Sequence, residues 1–365
     1  MTVSKYFLGM SPNDMAEVGI VGSMTLEHRR IRYMHEALEA LIAKLKAGNA
    51  AELVKQLRIN ILLTGETGTG KELVAKALWL RLSKEGLLPA DKRKDDYFGS
   101  LNCACLSEEI FEQELFGTAE GAYSDARDRL GLVPRLSGFT KIDAEKKDSK
   151  RKILHGSPRP EPALLFLDEI GAADKPVQAK LLRLLENREF VPLGLEARRY
   201  EAPYLIILSA TNELSPSQSP QSLRDPSDPA DSGVKNASVA SDSAPASSSP
   251  AVPDAGPKLA RDEFRQDLFY RLGDTFHFHL PPLCDRPDEI PLIAEQFYQR
   301  YYRLFFDQQA NPSLPSELGD LLISANWPGN GRQLHQVIRR AMILWEDAKG
   351  VRTLVDLMRK DLDRA

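Results

Sequence analysis

The order of apolar and polar positions divides the chain into two unlike parts. Over residues 29–46 the apolar side chains Ile31, Met34, Leu38, Leu41, Ile42 and Leu45 recur at three- and four-residue spacing among charged ones, which predicts an amphipathic helix. Three short runs, 59–63, 163–167 and 204–208, are apolar almost without interruption. Helical patterns lie between them, notably 71–84 and 177–186, the latter with Leu181, Leu182, Leu184 and Leu185. Buried strands alternating with helices predict a parallel sheet covered on both faces. After about Pro281 the strand signal stops, and 287–306, 316–325, 330–347 and 351–363 read as helices. The expected fold is therefore α/β, a parallel sheet sandwiched by helices, followed by a small all-helical domain. No internal repeat is visible.

Two stretches break this pattern. Residues 141–162 are polar and lysine-rich without apolar periodicity, and are expected to form an exposed loop inserted into the α/β region. Residues 214–257 hold 8 of the 24 prolines and 12 serines, with no aromatic residue. Such a segment cannot bury enough apolar surface to offset its ordering entropy, so it is expected to be a disordered insert.

Composition narrows the class further. The chain has 365 residues, a net charge of -4 and an isoelectric point near 6.0, which argues against a chain built to coat nucleic acid or an anionic membrane. No apolar run approaches the ~20 residues that span a bilayer. The first 22 residues lack a basic segment followed by an apolar one, so no secretory signal is expected. Cys103, Cys105 and Cys284 are too few for a disulfide framework, and one C-x-C is a poor zinc signal. A reducing cytoplasm is the expected setting.

The chemistry begins where the first strand ends. Gly65, Glu66, Thr67, Gly68, Thr69, Gly70 and Lys71 follow that strand and open a helix, the context a phosphate-binding loop requires. Glycines let successive backbone N–H groups turn toward an anion, the helix N-terminus adds positive potential, and Lys71 neutralises terminal phosphates. Glu72 stands where Ser or Thr would offer a hydroxyl to Mg2+. The second strand, 164–169 (LLFLDE), delivers two acids to the mouth of the sheet: Asp168 to hold Mg2+ and Glu169 to polarise an attacking water. An acidic helix start would explain the pair equally well in isolation; beside the phosphate loop, the catalytic reading is preferred.

These blocks are joined by others in a fixed order: 102–104 (NCA), 114–117 (ELFG), 166–171 (FLDEIG), 178–182 (QAKLL), 210–212 (ATN), 264–272 (FRQDLFYRL), 280–287 (LPPLCDRP) and 327–334 (WPGNGRQL). Together with 65–72 (GETGTGKE) they resemble the AAA+ domain of bacterial enhancer-binding proteins, the sigma-54-dependent activators. The resemblance runs from about Gly19 to Leu344 around the two insertions, and Glu after the loop lysine is common in that family.

The resemblance implies an ATPase using ATP and Mg2+ in a homo-oligomeric, hexameric ring. It makes Asn102 the switch residue that bonds the catalytic Glu169, and Asn212 the polar sensor beside the terminal phosphate. Arg265 and Arg271 match the arginine fingers supplied to a neighbouring subunit, and Arg332 the sensor arginine of the lid. Ile20 and Val21 match part of an adenine pocket. Residues Gly121, Ala122, Tyr123, Ser124, Asp125 and Ala126 (GAYSDA) stand where the family reads GAFTGA, a loop that grips sigma-54. Tyr and Ser keep the ring and the hydroxyl, whereas Asp125 adds charge and restricts φ where glycine would be free.

The implied division is an N-terminal tail (1–18), the ATPase domain (19–280), a helical lid (281–349) and a C-terminal helix (350–365). One helix after Lys349 is too little for a helix-turn-helix, so no DNA-binding domain and no membrane segment are expected in this chain. The expected partner is sigma-54 RNA polymerase. Two alternatives are an AAA+ remodeller of another protein client, and a nucleotide-gated binding module with negligible hydrolysis. His277 and His279 on one strand face are too few for a metal site. Cys103 and Cys105 read as small core residues, and the aromatic run 297–306 as lid packing.

Overall fold

A computed structural model of the chain describes residues 6–17, 24–89, 94–123, 126–144, 152–195, 197–212, 264–346 and 350–362. Ile20, Val21, Ser124, Asp125 and all of 214–257 lie outside the described residues.

Five strands form one parallel sheet: β1 (Asn60–Thr64), β2 (Phe98–Asn102), β5 (Ala163–Asp168), β8 (Leu205–Thr211) and β9 (Phe276–His279), in the order β2-β5-β8-β1-β9. Every residue of β1 and β8 is buried, as expected of central strands covered on both faces. The pleat sends alternate side chains to two cores. Ile61, Leu63, Leu164, Phe166, Ile206 and Leu208 pack with helices α2 (Arg29–Ala47), α3 (Ala50–Leu57) and α4 (Lys71–Lys84). Leu62, Leu165, Leu167, Leu205 and Ile207 pack with α5 (Glu108–Phe116), α6 (Leu132–Ser137), α7 (Lys175–Asn187) and α8 (Gln266–Leu272). Because the strands are parallel, their carboxyl ends share one edge, with Asn102 in register with Asp168 and Thr64 with Thr211. Ligand sites of open α/β sheets lie at that edge.

The helical domain is α9 (Glu289–Phe305), α10 (Ser316–Ser324), α11 (Asn330–Leu344) and α12 (Gly350–Leu362), around a third core. Phe297, Tyr298 and Tyr301 enter that core as the aromatic run predicts, while Phe305 and Phe306 stay partly exposed.

Three expectations need correction. Residues 141–162 are not simply an exposed loop: β3 (Lys141–Ala144) and β4 (Lys152–His155) pair as an antiparallel hairpin. Ile142 and Leu154 are buried on its inner face, too few apolar residues to register as periodicity among the lysines. A second, shorter antiparallel pair, β6 (Glu189–Phe190) and β7 (Tyr200–Glu201), adds Phe190 and Tyr200 to the same core. Residues 6–17, which end in α1 (Pro12–Glu17), are not a tail. Phe7, Leu8, Met10 and Met15 are buried against α2 and α4, and the Leu8 N–H donates to His35 Nδ1 at 3.1 Å. Finally, α12 is not separate from the lid, since Leu354 and Met358 are completely buried in its core.

Among the described residues no helix is long and apolar enough to cross a membrane, and no group of three or more His, Cys, Asp or Glu could hold a metal. His277 and His279 both approach the Thr64 hydroxyl instead, at 3.1 and 3.4 Å. Cys103 is buried, which pushes its thiol up.

Candidate functional site

From Thr64 the chain turns tightly into α4, and its glycines are needed on two counts. Gly65 and Gly68 have φ of +142° and +83°, and a Cβ would lie 2.5 Å from the carbonyl of Leu280 at the first and of Gly329 at the second. The resulting loop covers the N-terminus of α4, whose first N–H groups have no helical partner.

Lys71, 6% exposed, folds back beneath this loop. Its ammonium donates to Gly65 O at 2.7 Å, Glu66 O at 3.0 Å and Asn212 Oδ1 at 3.1 Å. The Thr67 hydroxyl donates to the same Asn212 oxygen at 3.2 Å. The end of β8 thus reaches the loop through Asn212, one of the residues that the sequence resemblance singles out. Glu72 turns aside and pairs with Lys76 at 2.8 Å.

At the end of β5, Asp168 and Glu169 are half-buried. Glu169 has φ 52° and ψ 40°, a left-handed conformation that is uncommon and strained for a residue with a Cβ. Burial is the main cause that raises both carboxyls above their ordinary values, with Lys71 pulling in the opposite direction. Burial likewise lowers the Lys71 ammonium, against the attraction of Glu169 and Asp168. Lys71 thus attracts both carboxylates, while Asp168 and Glu169 repel each other. Asn102 sits beside Asp168 across the β2–β5 ladder. Its side-chain oxygen accepts from the Ala104 N–H at 2.9 Å, and it makes no hydrogen bond to Glu169 here.

The lid closes over the loop through residues that sequence reasoning did not assign. Asn330 is fully buried; its amide donates to Glu66 Oε2 at 2.9 Å and Thr67 O at 3.1 Å, and its oxygen accepts from the Leu283 N–H at 2.6 Å. The Gly331 N–H donates to Gly68 O at 3.1 Å. Arg286 donates to Thr69 O at 3.3 Å and pairs with the buried Glu289 at 3.1 Å. All three side chains lie in or beside the 280–287 and 327–334 blocks, so their positions were visible although their contacts were not. Arg332 projects from the first turn of α11, close enough to Gly68 that a Cβ there would come within 3.1 Å of its own Cβ. Its positive charge acts on Lys71, Asp168 and Glu169.

Arg265 and Arg271 are not brought to this loop. Both are exposed; Arg265 pairs with Asp267 at 2.7 Å, and Arg271 with Glu186 at 3.0 Å. In the 121–126 segment, Gly121 has φ +87° and Tyr123 exposes 43% of its surface, while Ala126 is buried at the return.

Two family profiles match this sequence. One, described as the sigma-54 interaction domain, covers residues 36–140 and 159–225; the other, an AAA+ ATPase lid domain, covers 284–362. Similar proteins include the DNA-binding transcriptional activator HyfR of Escherichia coli, 31% identical over 86% of this chain and 34% of its own length. The C4-dicarboxylate transport transcriptional regulatory protein DctD of Rhizobium meliloti is 29% identical over 90% of this chain and 56% of its own. Among solved structures, NtrX from Brucella abortus in complex with ATP superposes with a TM-score of 0.53 at 21% identity, over 91% of this chain and 55% of that one. Its complex with ADP gives 0.55 at 21%, over 96% and 57%. This chain therefore spans well under two thirds of the length of each.

Proposed function

The chain belongs to the family of AAA+ sigma-54 interaction domains, and we propose that it is an ATP hydrolase that couples turnover in a ring to the remodelling of sigma-54 RNA polymerase in the bacterial cytoplasm. The observation that carries this reading is the meeting of Lys71, Asn212, Asp168 and Glu169 at one edge of the sheet, beneath a glycine loop at a helix N-terminus. The ATP and ADP complexes of NtrX, a protein of the same fold, support nucleotide as the ligand.

The donor set fits Mg2+, which takes one or two carboxylates and completes its shell with phosphate oxygens and water. Asp168 would hold it, while Glu72, paired with Lys76, would not. Bound there, the ion supplies charge neutralisation along the phosphates.

The protein's own groups do the rest. The loop N–H groups and Lys71 cradle the phosphates, which requires the Lys71 ammonium to exchange Gly65 O and Glu66 O for phosphate oxygens. Glu169 orients a water and accepts its proton; a carboxyl raised by burial is a better base than an exposed one. Asn212 touches both Lys71 and Thr67, and so registers whether the terminal phosphate is in place. Asn102, one strand away, can release Ala104 to bond Glu169 and hold it back. Arg332 from the lid, with Arg265 and Arg271 from the adjacent subunit, stabilises the negative charge that spreads over the transferred phosphoryl group. Ile20 and Val21 contribute to the adenine pocket. Residues 121–126 contact the client, with Tyr123 as the exposed aromatic.

The test is a trap. Purified protein, sigma-54 and ADP with aluminium fluoride are mixed and resolved by size. A stable complex that disappears with Lys71→Ala is expected. If wild type hydrolyses ATP but captures nothing, while Asp125→Gly restores capture, the loop has another client and the sigma-54 assignment falls.

A further inference from the structure

The 121–126 segment leaves and rejoins the domain through a short clasp. Thr118 and Arg129 exchange backbone hydrogen bonds at 2.9 and 2.8 Å, Ala119 N–H donates to Leu193 O at 2.8 Å, and Glu120 N–H donates to Asp128 Oδ1 at 2.7 Å. That arrangement sets two carboxylates, Glu120 and Asp128, side by side at the two ends of the loop. Like charges so placed repel unless a cation lies between them.

The cation is Lys152. Its ammonium stands 2.6 Å from Glu120 Oε2 and 2.6 Å from Asp128 Oδ2. Lys152 opens β4 of the β3–β4 hairpin, and this hairpin falls in the gap, 141–158, that the sigma-54 interaction profile leaves unmatched. The hairpin is a firm platform. Ile142 and Leu154 are buried in the same core as Phe139, Phe190 and Tyr200, whose rings meet at 5.7–5.9 Å, and the Leu154 N–H donates to the Tyr200 hydroxyl at 2.9 Å. Two residues along a strand return to the same face, so anchoring Leu154 also aims Lys152 inward. The Lys152 side chain is 22% exposed against 69% for Glu120, so its stem is the more covered of the two. Both carboxylates raise its ammonium above the ordinary lysine value.

We infer that Lys152 is a positioning residue for the two arms that carry the 121–126 segment: from an inserted hairpin it bridges Glu120 and Asp128 and holds those arms together where the segment leaves and rejoins the domain. The importance of that bridge for a client rests on the reading of 121–126 as the client loop; the bridge itself does not.

Backbone hydrogen exchange on the full chain tests it. Lys152→Met keeps the stem of the side chain and removes the charge. Exchange across residues 118–129 is expected to quicken roughly five- to tenfold, with protection of β1 and α4 and the rate of ATP turnover without client unchanged. Asp128→Asn, which attacks the bridge from the other side, is expected to do the same, and Lys152→Arg to retain wild-type protection. Unchanged exchange at 118–129 in Lys152→Met would overturn the inference. So would loosening that spreads through β1 and α4, because Lys152 would then be a general structural residue. Capture of sigma-54 by the wild-type protein is measured separately, so a failed client assignment is distinguishable from a failed bridge.

Discussion

Glu169 carries two separate costs at one position: a left-handed backbone at φ 52° and a half-buried carboxylate raised above its ordinary value. Both are expected where catalysis rather than stability selects the residue. Glu169→Gln removes the charge and leaves the backbone strain, so it should abolish turnover and make the nucleotide-free protein more stable at neutral pH. The sign follows from linkage. Between the ordinary glutamate value and the raised one, the folded protein keeps a proton that the unfolded chain has lost, so wild-type stability falls as pH rises through that window. The advantage of Glu169→Gln should therefore be largest near pH 7 and vanish toward pH 4. Urea unfolding at both pH values measures it, and a variant less stable than wild type at pH 7 would contradict the account. The sequence placed this acid at the strand end beside the phosphate loop. It could not show the backbone conformation, which is set by how β5 breaks into the turn before α7.

The three strands that place Asn212, Asp168 and the glycine loop, together with their alternation with helices, were legible because a short, continuous apolar run flanked by helical patterns has to be buried on both faces. The hairpin and the docked N-terminal segment were not: the hairpin is held by a few buried side chains set among lysines, and the N-terminal segment is too short to show a helical or strand period. The lid contacts were half legible. The 327–334 block stood out, but it is the partnering of Asn330 with Glu66, Thr67 and Leu283 that makes it a joint. Asparagine suits that position twice: it tolerates φ +51° and offers both a donor and an acceptor. Asn330→Ala should leave buried partners unsatisfied and cost about 2–4 kcal/mol, read by thermal or chemical unfolding. Nucleotide affinity should weaken in parallel as Arg332 drifts from the loop. Wild-type stability and affinity in this variant would show that the lid is not held here.

In the whole molecule the site is, on the proposed reading, incomplete within one chain. Lys71, Asn212, Asp168, Glu169 and Arg332 converge, whereas Arg265 and Arg271 face outward and pair with Asp267 and Glu186 on the surface. Exposed pairs of this kind contribute little to folding, about 0–1 kcal/mol. Arg271→Ala should therefore fold like wild type yet lose turnover, an outcome that a merely solvated arginine would not give. The insertion 214–257 lies in the sequence between Asn212 and Arg265, the proposed sensor and one of the proposed fingers. Lengthening a connection costs only ~0.6 kcal/mol per doubling, which lets a long insert occupy that position without disturbing the sheet.

The most direct test is phosphate release by Glu169→Gln, by Arg271→Ala and by their equimolar mixture. Each variant alone should be inactive. The mixture should recover roughly a quarter of the wild-type rate, the chance that a site with intact Glu169 faces a neighbour with intact Arg271. Activity in either variant alone, or a mixture as inactive as its parts, would contradict an ATPase whose site is completed by a second copy of this chain.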